Sequence, residues 1–147
     1  MKTLFILLFL TISFINISSN EAKYISLYKE SIVRAEMPLT MENVIIELIR
    51  NDVKCIDEVV RQIILETGHL KSRRAVQDHN LFGFEVKKGL IFHTWQESVK
   101  YYKKWQDKRY KGGEYYSFLT KIGYAQDIEY IKKLQSLSTK KFNKLYS

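Results

Sequence analysis

Cysteine and proline are nearly missing from this chain of 147 residues, which has only Cys55 and Pro38. A lone cysteine excludes an internal disulfide, so a domain of this length has to be held by its core. One proline and six glycines argue against a linker-rich or disordered chain. Acid is scarce as well, with 16 Asp and Glu against 24 Lys and Arg and a formal net charge of +8. A polyanionic partner fits that charge, and so does the plain lysine-richness of a small envelope protein. No repeat, phosphate-binding glycine loop or serine-nucleophile motif occurs. His69, His79 and His93 fall in no metal-ligand spacing, so neither a metal site nor a cofactor is expected. No nucleic-acid motif accompanies the basic charge, and nucleic acid is not an expected partner.

What the chain does have is apolar residue, 46% of the total, enough for one sizeable core. Its first 20 residues have the pattern of an export signal: Lys2, then the uncharged stretch Leu4 to Ile17, then polar residues with cleavage near Ser19 to Ala22. An uncleaved anchor is the alternative, although about 14 apolar residues fall short of the ~20 a membrane span needs. The expectation is an exported chain, in the periplasm, cell envelope or medium. Residues 21–39 then form a helical lead-in, 40–138 the working domain, and 139–147 a basic, loosely held tail.

Within the domain the signal is helical. Ile25, Tyr28, Ile32 and Ala35 share one helical face up to the stop at Pro38, and Thr40 can cap a helix carrying Val44, Ile45, Leu48 and Ile49. Ile56, Val59, Val60, Ile63 and Ile64 make the clearest stripe, closed by Gly68 as a C-terminal cap. After it, LFGFEV and LIFHTW around a KKG turn read as a small β hairpin. TWQE opens the next helix as a capping box, which assigns Glu97 to the cap. A helix through YYSFLTKI ends at Gly123, and a last one runs from about Gln126 to Leu137, with Asp127 as its cap. The fold class is therefore α+β, mostly α.

Glu66 stands out in this pattern. It lies along the edge of the apolar stripe in the last helical turn, where the dipole and apolar neighbours both disfavour a negative charge and raise a carboxyl pKa. A lysine would be more stable there. Position alone is also compatible with a solvated edge carboxylate.

Four blocks occur in order: Gln62 with Leu65 to Gly68, Lys71 and Ser72; Asn80 to Gly83; Trp95 with Glu97 to Val99, Tyr101 and Tyr102; and Gly123 to Ala125 with Asp127. Together they resemble the glucosaminidase domain of glycoside hydrolase family 73, over about residues 40–137. The resemblance implies a lysozyme-like fold, with a cleft between a helical lobe and a small β lobe. It also implies cleavage of the β-1,4 bond between N-acetylglucosamine and N-acetylmuramic acid, so glycan strands of peptidoglycan are the expected partner. The charge would aid adsorption to an anionic envelope, and a monomer is expected.

By the same resemblance Glu66 is the general acid, the role a proton-holding carboxyl plays at a glycosidic oxygen. Tyr124 lines the cleft, and Asn80, Phe82 and Ser72 belong to the substrate-binding blocks. Phe84 is the aromatic chosen for sugar contact, although Phe82, Phe84, Phe92 and Trp95 can all equally be core. The β lobe is shorter than in many relatives, and Glu85 is its only acid and the candidate base for water. Attack by the substrate's own N-acetyl oxygen would need no second carboxylate. Other readings are a muramidase or lytic transglycosylase on the same fold, and a wall-binding or assembly factor that does not cleave.

Overall fold

The computed structural model describes residues 18–35, 37–84 and 89–146. The chain forms two compact units, residues 1–33 and 34–147. Helix α1, Ser19–Ala35, is the described element of the first unit, and Tyr24, Leu27 and Tyr28 along it are exposed. The apolar run 4–17 lies outside the described residues. Among those that are described, no helix is long and apolar enough to cross a membrane.

The second unit is built from short helices. Thr40 caps α2, Met41–Arg50, by accepting from the Asn43 amide at 3.2 Å; of the predicted face, Val44, Ile45 and Leu48 are fully buried, while Ile49 is exposed. Helix α3, Ile56–Thr67, buries Val59, Val60, Ile63 and Ile64 as its stripe requires. The four-residue α4, Arg73–Val76, follows, with Ser72 as its N-cap. Next come α5, Trp95–Arg109, α6, Tyr115–Lys121, and α7, Tyr130–Ser136. Helices α2, α3 and α5 pack around one core, with α7 against α3. Each aliphatic side chain buried there contributes about 1.5–3 kcal/mol relative to exposure.

The capping box at α5 forms as expected. Thr94 Oγ1 accepts from the Glu97 amide at 3.4 Å, and Glu97 Oε2 accepts from the His93 amide at 3.1 Å. Cys55 stands half-buried at the start of α3, its Sγ donating to the Tyr110 hydroxyl at 3.4 Å, and burial pushes its thiol up.

Three expectations are corrected. No strand occurs among the described residues, so the hairpin and the β lobe are not seen. The reason is visible in Asn80: its amide donates to the Phe84 and Leu90 carbonyls at 2.8 and 3.1 Å, and its Oδ1 accepts from the Phe84 amide at 3.2 Å. A buried side chain thus supplies bonds that a strand ladder would have made. The second correction concerns the expected loose tail, of which residues 139–146 are described and are not loose. Residues Lys140–Leu145 form a 3-10 helix against α2, with Phe142 only 3% exposed. Finally, the last helix starts at Tyr130 and not near Gln126. Asp127 shapes the turn ahead of it, accepting from the Glu129 amide at 2.9 Å, instead of capping it.

Candidate active site

The end of α3 is followed by a tight reversal. Gly68 caps the helix at φ 55°, its N–H donating to the Ile64 carbonyl, and His69 and Leu70 continue in the left-handed region at φ 61° and 65°. Non-glycine residues there cost about 1–2 kcal/mol each. The turn is held by the Leu70 amide donating to Thr67 Oγ1 at 2.9 Å, and by the Lys71 and Ser72 amides donating to the Thr67 carbonyl at 3.0 and 2.9 Å. Ser72 then accepts from the Ala75 amide at 3.2 Å, which starts α4 and brings Arg74 back beside Glu66.

Glu66 and Arg74 line a pocket of about 570 Å³ together with Phe82, Gly83, Phe84, Trp105, Arg109 and residues 122–126. Glu66 is the only acid among its described lining residues. Its Oε1 accepts from the Tyr130 hydroxyl at 2.8 Å. Its Oε2 lies over the backbone of Gly83, so close that a β-carbon on that residue would stand 2.3 Å away. Gly83 also has φ 65°, so both its conformation and the approach of the carboxylate demand glycine. Arg74 Nη1 is 3.6 Å from the same point, which puts a cation on the pocket side of the carboxylate.

Tyr124 lies opposite, in the loop between α6 and α7. Its hydroxyl donates to the Phe82 carbonyl at 2.8 Å, tying this loop to the Leu81–Gly83 turn. Burial first, then the nearby Tyr130 and Glu66, push its phenol well above the ordinary tyrosine value, so it stays protonated. With its single proton given to Phe82, the phenol oxygen keeps lone pairs to offer the pocket. Tyr130 is raised by burial and by the Glu66 charge in the same way.

The structure brings Glu66, Tyr124, Phe82 and Phe84 to one pocket. The ring of Phe82 is 1% exposed and stacks on Tyr102 at 4.0 Å, so this residue meets the pocket from within the core. Phe84 is half-buried, edge-on to Trp105 at 5.9 Å. Ser72 and Asn80 are not among the lining residues: one caps α4 and the other fastens the loop. Glu85 lies outside the described residues. Trp95 is core, its indole donating to the Met37 carbonyl at 3.1 Å.

Four lining or contacting residues escape a reading of the sequence: Arg74, Trp105, Arg109 and Tyr130. Trp105 sits in the aromatic helix that the sequence does mark, and Arg109 lies one turn further on, its guanidinium 6.0 Å from the indole ring. Tyr130 opens α7, three residues past the fourth motif block, and nothing in its spacing distinguishes it from a core aromatic. No group of His, Cys, Asp and Glu among the described residues is arranged to hold a metal.

In comparison with known families, the family model Glucosaminidase, described as mannosyl-glycoprotein endo-beta-N-acetylglucosaminidase, matches residues 43–142. No curated protein and no solved structure matches the chain.

Proposed function

Since the chain belongs to the glucosaminidase family of glycoside hydrolases, we propose that it is an exported peptidoglycan hydrolase that cleaves the β-1,4 bond between N-acetylglucosamine and N-acetylmuramic acid, with Glu66 as general acid. One observation carries this reading. Glu66 is the only acid among the described residues lining a pocket that also holds Phe84, Trp105, Tyr124, Arg74 and Arg109, its Oε1 accepting from Tyr130 and its Oε2 lying beside the Gly83 backbone.

A sugar strand in this pocket places its glycosidic oxygen against Glu66, which gives up its proton as the bond to the anomeric carbon breaks. Arg74 then favours the carboxylate left behind. With no second acid among the described lining residues, the substrate's acetamido oxygen is the proposed nucleophile. The free lone pairs of Tyr124 suit it as the acceptor for that acetamido N–H, which steers the carbonyl oxygen toward the anomeric carbon. This route retains the anomeric configuration. Trp105 and Phe84 offer ring faces to the sugars, and the basic pocket wall suits the carboxylates that peptidoglycan carries. Export rests on Lys2 and the apolar stretch that follows.

The test is turbidity loss of purified peptidoglycan with the protein and with Glu66→Gln, and mass spectrometry of the soluble fragments. The parent should release fragments ending in N-acetylglucosamine, and the variant should lose at least about 100-fold in rate. Fragments ending in N-acetylmuramic acid or its anhydro form would replace this reading with a muramidase or transglycosylase. Binding to the wall without cleavage by either protein would make the protein a wall-binding factor.

A further inference from the structure

Two arginines line the pocket, and they stand in different places. Arg74 is beside Glu66, its Nη1 3.6 Å from the point a Gly83 β-carbon would occupy. Arg109 belongs to the last turn of α5, its guanidinium 6.0 Å from the centre of the Trp105 ring. Four residues apart on one helix, Trp105 and Arg109 share a face, and both line the pocket. The half-buried indole is held by other rings, Phe84 edge-on at 5.9 Å, Tyr124 edge-on at 5.4 Å and Tyr102 at 5.3 Å. Just past Arg109, the Tyr110 ring lies 5.0 Å from both Tyr115 and Phe118 and anchors the end of α5.

Arg109 is exposed, and no carboxylate among the described residues pairs with it. The acids of its own helix are engaged elsewhere, Glu97 by the His93 amide and Asp107 by Lys103 at 2.8 Å. Glu114, the next acid along the chain, caps α6 through the Tyr116 and Ser117 amides. A distance of 6.0 Å is the outer limit of a cation–π contact, so the guanidinium is free to turn toward a ligand. The α5 dipole favours a cation in the last turn, but Lys108 already supplies one. What Arg109 adds is a planar pair of N–H donors, the shape that holds a carboxylate by two bonds.

We infer that Trp105 and Arg109 form a subsite for a sugar that carries a carboxylate. The sugar stacks on the indole and its carboxylate pairs with the guanidinium, so the pair selects muramic acid over a neutral amino sugar. This inference rests on the reading of the pocket as a glycan cleft. Two carboxylates fit the chemistry: the lactyl group of a bare muramic acid, or a carboxylate of the peptide attached to it. Once the peptide is attached, the lactyl carboxyl is an amide and carries no charge.

The experiment uses soluble glycan strands of both kinds, stripped of peptide and peptide-bearing, each as isolated and with its carboxylates converted to methylamides. Affinity is measured by titration calorimetry in Glu66→Gln, alone and combined with Arg109→Gln, Arg109→Lys or Lys108→Gln. The kcat/KM is measured for the same Arg109 and Lys108 variants with Glu66 intact. Amidating the strand should weaken binding to Glu66→Gln by about five- to tenfold, a modest factor because Arg109 is exposed. Arg109→Gln should cost the same factor on native strands and nothing on amidated ones, so the two losses do not add. Arg109→Lys should recover only part of the loss, and Lys108→Gln should cause none. The kind of strand on which amidation matters identifies the carboxylate as lactyl or peptide.

An Arg109→Gln protein that keeps the full gap between native and amidated strands overturns the inference, because the carboxylate is then read elsewhere. Equal losses on native and amidated strands also overturn it, since a purely structural role gives that result, and so does an absence of binding to any strand. Carboxylate-dependent binding without cleavage by the parent removes the hydrolase reading and leaves the subsite standing. Cleavage with additive losses does the reverse.

Discussion

Helix α3 carries Asp57 in its first turn and Glu66 in its last, and the fold treats these two carboxylates in opposite ways. Asp57, at the favourable end of the dipole, is surrounded by donors: Arg61 Nε at 2.8 Å, the Tyr146 hydroxyl at 3.0 Å and the Thr139 hydroxyl. Burial pushes its carboxyl up, but these bonds outweigh burial and hold it below the usual aspartate value. Every partner of Asp57 is spent on structure, because Thr139 and Tyr146 belong to the segment that docks Phe142 against the core. Glu66 has the unfavourable end of the same helix, the Tyr130 phenol on Oε1, Arg74 close by, and a pocket beside it. The contrast separates a carboxylate committed to holding the chain from one that faces a pocket.

That contrast can be broken from either end. Gly83→Ala should have the largest effect, because the added β-carbon would meet Oε2 at 2.3 Å and the backbone is left-handed there. Displacing the carboxyl by about 1 Å is expected to cost on the order of 100-fold in rate, while circular dichroism still reports a helical fold. Phe142→Ala acts on the other end. Emptying that buried site should cost about 3–5 kcal/mol in chemical denaturation, with the rate per folded molecule unchanged.

Asp57→Asn should be milder, about 1 kcal/mol, since the side chain is 38% exposed and water screens the ion pair. Its signature is in the pH dependence. A carboxyl with a depressed folded pKa contributes stability above its unfolded value, near ~3.9, and loses it as pH falls through the folded value. The parent should therefore lose melting temperature between pH 5 and pH 3 more steeply than the variant does. Equal slopes would mean that Asp57 is no more committed to structure than any exposed acid.

Most of the helical frame and half of the site were legible in the sequence, for physical reasons. The α3 stripe, the Thr40 and Thr94 caps and the Gly68 stop are local patterns, and each forms where its spacing puts it. Glu66 as a pocket residue was legible because a carboxylate at a helix C-terminus conflicts with stability, and the role proposed for it comes from the resemblance of the L-E-T-G block. That no strand would form among the described residues was not legible, because the competing element is a side chain: Asn80 bonds the backbone of Phe84 and Leu90, and alternation of hydrophobic residues carries no trace of that. Tyr130 and Arg74 were hidden for a related reason. They reach the pocket only after α7 has packed on α3 and three left-handed residues have turned α4 back, and both events are tertiary.

The Arg61 guanidinium has a consequence beyond its pair with Asp57. It also donates to the carbonyls of Gln135 and Leu137 at the end of α7, while the first residue of α7 is bonded to Glu66. The seven-residue helix is therefore supported at both ends by α3, like a beam resting on two posts. A beam with one post can pivot; with two it can neither swing nor slide without lifting both. Rigidity at the Glu66 end is thus lent by a cation some way off, and loosening that far post should let the carboxyl wander even though no atom near the pocket has changed.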